Sequence, residues 1–148
     1  ASIYQQHHGD DGIYAPPPVE LVAEQKTGSF VRQQILGGGI SAAHDIADGG
    51  LAVAIAEMAM RSGFGADIAV PKTGNLHGWA FGEGQARFVV TTANSQTLIA
   101  AAKEAGIEIT KLGMVSDRSE LKFGDNDTIS VADLNAVFEG CIPALMAG

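Results

Sequence analysis

Two short stretches of this 148-residue chain hold residue types at spacings that could do chemistry. The first is His44-Asp45-Ile46-Ala47-Asp48-Gly49-Gly50, placed where a short apolar strand turns into a helix. Glycines at a helix start let backbone N–H groups approach a phosphate, and the helix dipole favours the negative charge. Asp45 and Asp48 would repel that phosphate unless Mg²⁺ or a lysine intervened, and the segment contains no lysine. The same residues also fit a purely structural assignment, with Asp48 capping the helix and His44 a hydrogen-bonded, partly buried histidine. The second stretch is Glu83-Gly84-Gln85-Ala86-Arg87, just ahead of a β-branched run. If it is extended, Glu83, Gln85 and Arg87 project to one side and set a carboxylate, an amide and a guanidinium in a row that could grip a polar ligand. The alternative is a set of hydrogen bonds tying the preceding loop to the sheet, with Arg87 bridging Glu83.

Other candidates carry less. His7 and His8 are adjacent and lack a third convergent group, so a solvated face is expected and no metal ligation. His77 lies beside Trp79, which suits aromatic packing or a domain contact. Gly37-Gly38-Gly39 is not preceded by a strand, as a dinucleotide fingerprint requires. No serine, cysteine or lysine is paired with a base at a nucleophile spacing, so no residue is assigned a catalytic role.

These stretches need elements to position them. Residues 1 to 17 contain Asp10-Asp11-Gly12, run into Pro16-Pro17-Pro18 and are expected to form a polar connector with an extended proline path. Residues 18 to 148 are expected to form one α/β domain. Within it, Val19, Leu21, Val22, Phe30, Val31, Ile35 and Leu36 recur at helical spacing until the glycine triplet stops them. A strand over Ile40 to Ile46 and a largely buried helix to about Ser62 flank the first stretch. Ala66 to Val70 is expected as a strand, Pro71 to Trp79 as a loop with one short helical turn, and Arg87 to Thr92 as a third strand. Asn94 or Ser95 can cap an amphipathic helix ending at Gly106. Ile107 to Val115 alternates as a strand, a hairpin turns at Gly124-Asp125-Asn126-Asp127, and Asp133 to Met146 closes as a helix. The expected fold class is α/β with a mixed β-sheet covered by helices.

Composition excludes whole classes of function. Hydrophobic residues make up 46% and charged residues 18%, enough apolar material for a core. Net charge is −8 and the basic residues never cluster, so nucleic acid and anionic membranes have no electrostatic footing. The single Cys141 permits no internal disulfide, and a reducing, cytoplasmic setting is expected. The longest strongly apolar run, Leu51 to Met60, is too short for a membrane span. The chain opens at Ala1 without a methionine, and upstream domains are expected.

Taken in order, Pro16-Pro17-Pro18-Val19-Glu20-Leu21, the His44-Asp45-Ile46-Ala47-Asp48-Gly49-Gly50-Leu51 turn and Phe81-Gly82-Glu83-Gly84-Gln85-Ala86-Arg87 resemble the signature of the carboxy-terminal domain of the phosphoribosylformylglycinamidine synthase family. The resemblance covers essentially the whole chain and implies the carboxy-terminal fold of the aminoimidazole ribonucleotide synthetase-like superfamily. It implies an enzyme of de novo purine synthesis that uses ATP, Mg²⁺ and ammonia to convert formylglycinamide ribonucleotide to the amidine, through an iminophosphate that ammonia displaces. The implied partners are upstream ATP-binding domains of the same chain, a glutaminase subunit and a small bridging subunit, the short form of the enzyme suiting a final helix before Gly148. His44, Asp45, Asp48, Gly49, Gly50, Glu83, Gln85 and Arg87 are carried over as substrate- or nucleotide-binding candidates. No ligand is expected on this domain alone, which should be catalytically silent. The resemblance leaves open whether the Glu83-to-Arg87 row meets substrate or borders a structural nucleotide site, and Gly84 stands where many relatives have a hydroxyl residue. Two other readings remain, an aminoimidazole ribonucleotide synthetase-like domain and a non-catalytic packing and assembly module.

Overall fold

The computed structural model describes residues 3–8, 19–125 and 127–147. The proline path and the Asp10-Asp11-Gly12 turn expected in the connector lie outside them, as does Asn126 of the hairpin turn. Residues 3–8 are not irregular but form a short helix, α1 (Ile3–His8).

Among the described residues twelve elements follow in order: α1, α2 (Leu21–Leu36), β1 (Ala42–Asp45), α3 (Gly50–Ser62), β2 (Gly65–Ile68), α4 (Leu76–Phe81), β3 (Phe88–Thr91), α5 (Ser95–Glu104), β4 (Gly113–Ser116), β5 (Glu120–Phe123), β6 (Asp127–Ser130) and α6 (Val131–Ala147). They divide into two compact units, one of residues 1–54 and 75–111 and the other of residues 55–74 and 112–148. The strands form two sheets where the sequence pattern suggested one. The mixed α/β class stands.

In the first unit β1 and β3 pair antiparallel, with His44 opposite Val89 and Asp45 opposite Phe88. Val31 from α2, Ile40 and Leu98 from α5 form a buried cluster, with Phe30, Val90 and Ile109 packed against it. Helix α2 runs unbroken through Gly28 and ends at the glycine triplet, where Gly38 turns left-handed at φ 72° and the Gly38 and Gly39 amides donate to Ile35 O and Gln34 O. Helix α5 starts on a side-chain cap, the Asn94 Oδ1 accepting the Thr97 amide at 3.1 Å. Helix α4 is capped likewise, by Asn75 Oδ1 and the Gly78 amide at 2.9 Å.

The second unit holds a four-stranded mixed sheet in the order β4-β2-β5-β6, with only β2 and β5 parallel. Leu121 of β5 is 1% exposed and anchors this sheet's buried face. Helix α6 begins directly after β6, with Ser130 Oγ accepting the Asp133 amide at 3.0 Å. The strand expected over residues 107 to 115 forms only at Gly113–Ser116. Upstream of it, the Ile107 amide is spent closing α5 on Ala102 O, and Ile109 packs into the first unit's cluster. The alternation of apolar residues there reflects burial, without a ladder partner.

Candidate functional site

Both sequence stretches meet in one cleft of the first unit, about 990 Å³ in volume. Asp45 ends β1 and enters the cleft wall, followed through the turn by Asp48. Beside them come Glu83, Gln85 and Arg87 from the loop between α4 and β3, while α1 adds Tyr4 and Gln5. His44 is not among the residues that line the cleft. Its Nδ1 lies 2.6 Å from the Asp45 carbonyl oxygen, and its side chain is 32% exposed. Gly49 and Gly50 lie behind the lining and shape the turn.

Local geometry departs from the sequence reading in two places. The residues from Glu83 to Arg87 are not extended: a turn at Gln85 and Ala86, with Ala86 at φ 59°, breaks the alternation that would have lined up three side chains. Arg87 does not bridge Glu83. Its Nη1 donates to the Gly82 carbonyl at 3.3 Å, closing the loop on itself, and its own carbonyl accepts the Ile46 amide at 2.8 Å. Secondly, no hydrogen bond from Asp48 to a helix amide occurs among the described residues. The start of α3 is tied down from a distance instead, by Glu83 Oε1, which accepts the Gly49 amide at 3.0 Å. The reason is the path of the backbone. Gly49 and Gly50 sit at φ 79° and 72°, so the chain swings sharply into the helix, and a carboxylate from the neighbouring loop meets the amide.

Tyr4 and His77 have no signature in the two motifs. Tyr4 stacks on Phe81, with ring centroids 4.7 Å apart and planes 8° apart, and on His77 at 5.1 Å and 19°. His77 and Phe81 are four apart on α4, a spacing that puts both rings on one helix face. That spacing was the available signal, and the aromatic packing expected of His77 is with Tyr4. His7 and His8 are exposed, His8 lying tilted 5.0 Å from the Tyr4 ring.

The chemistry open to this arrangement is limited. Glu24, Asp45, Asp48 and Glu83 contribute carboxylates to the cleft and Arg87 is the cation among its lining residues, already engaged with a loop carbonyl. A triphosphate therefore does not fit here on this unit's residues alone. Among the described residues no three His, Cys, Asp or Glu side chains converge as metal ligands. What remains is a polar wall with an aromatic shelf beside it.

Residues 1–126 match the family described as AIR synthase related protein, C-terminal domain. The chain belongs to this family. A subunit of phosphoribosylformylglycinamidine synthase, PurL, from Parvibaculum lavamentivorans is 47% identical over 139 residues, which is 93% of this chain and 19% of that protein. The chain thus spans about a fifth of that relative's length. Among solved structures, Thermotoga maritima PurL complexed with FGAR superposes with a TM-score of 0.70 at 17% identity, covering 85% of this chain and 23% of that one. The same protein complexed with ATP gives 0.59 at 16% identity over 74% of this chain and 21% of that one. A structure of PurLQS from that organism gives 0.65 at 18% identity, covering 88% and 24%. At these identities the structures establish the fold.

Proposed function

We propose that this chain is the carboxy-terminal domain of an ATP-dependent amidoligase that converts formylglycinamide ribonucleotide to formylglycinamidine ribonucleotide in purine synthesis. The observation that carries the reading is the 47% identity to a PurL subunit along nine-tenths of the chain, with both motif stretches brought into one cleft. In this reading Asp45, Asp48, Glu83, Gln85 and Arg87 form a wall that upstream domains of the same polypeptide complete, and His44, Gly49 and Gly50 set its shape. Residues 1–17 then connect to those upstream domains. ATP and Mg²⁺ are bound by the whole enzyme and held mainly by its upstream domains, which accords with a cleft rich in carboxylates. The T. maritima protein's complex with ATP supports the nucleotide, and the PurLQS assembly supports further subunits as partners, which in this reading are a glutaminase and a small bridging subunit.

The mechanistic role of this domain is to bind, border and exclude water. Phosphoryl transfer needs Mg²⁺ ligands and positioned phosphate contacts, and neither set is assembled by these residues. The test is a chimera in which this chain replaces the corresponding segment of the Parvibaculum PurL subunit. Together with glutaminase and bridging subunits it should form amidine with dependence on both ATP and glutamine, whereas the 148-residue chain alone should turn over no ATP. A folded chimera without amidine formation, or sustained ATP turnover by the chain alone, would refute the assignment.

A further inference from the structure

We propose that Glu83 is a positioning residue that couples the seating of α1 to the first turn of α3. One oxygen carries the coupling: Glu83 Oε1 accepts the Gly49 amide at 3.0 Å and the Ile3 amide at 2.8 Å. The two donors come from segments far apart in sequence, the helix start below the cleft and the helix that walls it. A carboxylate oxygen satisfied by two backbone amides is held in a fixed direction, and each amide gains from the other's presence because both orient the same side chain.

The rest of α1 is built to present that amide. Tyr4, the next residue, lies flat on Phe81 and His77, which fixes the rotation of a helix only six residues long and too short to persist alone. Phe81 is two residues before Glu83, so the shelf under Tyr4 and the acceptor of Ile3 move as one piece of chain. The other face of that piece touches the α3 start: a Cβ on Gly50 would come within 2.6 Å of the Phe81 carbonyl carbon. Tyr4, Gln5, Asp45 and Asp48 all line the cleft, so a change in α1 seating alters its lining directly and the Asp48 turn through Glu83. Any segment preceding Ile3 thereby has a mechanical route to the Asp48-Gly49-Gly50 turn. This inference does not depend on which reaction the cleft serves.

The experiment is amide hydrogen exchange on the 148-residue chain, comparing the turn at residues 47–53 with α5, Ser95–Glu104, as an internal reference. Tyr4→Ala should raise exchange at the Gly49 amide several-fold while α5 keeps its protection, and Tyr4→Phe should restore the protection because the ring stack survives. Glu83→Ala should raise Gly49 exchange at least as much. Glu83→Gln should keep most of it, since the amide carbonyl oxygen still accepts, which a role based on charge alone would not allow. The double variant Tyr4→Ala with Glu83→Ala should be no worse at Gly49 than Glu83→Ala alone. Unchanged Gly49 exchange in Tyr4→Ala, additive effects in the double variant, or Glu83→Gln behaving as Glu83→Ala would each overturn the proposal. If Tyr4→Ala loosens α5 as well, Tyr4→Leu replaces it, and the same pattern at Gly49 decides.

Discussion

Substitution of Gly50 by alanine isolates the close approach that builds the cleft's turn. Two separate costs arise at this position. The backbone has φ 72°, in the left-handed region, where an L side chain loses about 1–2 kcal/mol. The added Cβ would also lie 2.6 Å from the Phe81 carbonyl carbon, 2.7 Å from its Cα and 3.0 Å from the Ala80 carbonyl oxygen. All three are backbone atoms, so no rotamer change relieves the clash, and overpacking of this kind costs about 1–3 kcal/mol. The sum is about 2–5 kcal/mol, a large part of the roughly 5–15 kcal/mol that holds a domain together. For a chain of this size it corresponds to a melting temperature lower by roughly 10 °C. Gly38→Ala is the matched control: φ is again 72°, but nothing lies within 4 Å of its Cβ, so only the backbone cost of about 1–2 kcal/mol applies. Thermal unfolding followed by far-ultraviolet circular dichroism measures both. If Gly50→Ala melts no lower than Gly38→Ala, the α3 start does not abut the end of α4 as described.

Leu121→Ala removes the most buried large side chain of the second unit, 1% exposed, and should destabilise by about 2–5 kcal/mol in urea unfolding; a loss below about 1 kcal/mol would show that the four-stranded sheet does not bury it. Asn94→Ala removes the cap on α5 and should cost about 1 kcal/mol. Asp48→Ala should fall within about 0.5 kcal/mol, because its carboxylate caps no helix amide. Equal losses for Asn94→Ala and Asp48→Ala would refute the account of how α3 starts.

The sequence alone determined the elements whose signal is local. Leu51, Ala54, Ile55 and Ala59 recur at helical spacing and are the buried stripe of α3. Val89 and Val90 mark β3, and Asn94 both starts and caps α5, because a cap acts within a single turn. The motif order also sufficed to name a family, since it depends on residue identity and not on geometry. Tertiary structure decided the rest. Ile107 and Ile109 alternate as a strand would, yet whether such a run pairs depends on a partner elsewhere in the chain, and Ile109 finds a core cluster instead. The Glu83-to-Arg87 row looked like one surface only if extended, and the left-handed Ala86 turned it. Asp48 stood at the position where a cap belongs, but the Gly49 amide is satisfied by Glu83, 34 residues away, and the same oxygen takes Ile3, 80 residues away. Spacing in sequence encodes which side chains share a face of one element. It carries no record of which carboxylate will stand over which amide once separate elements have packed, because that is set by how those elements pack in three dimensions.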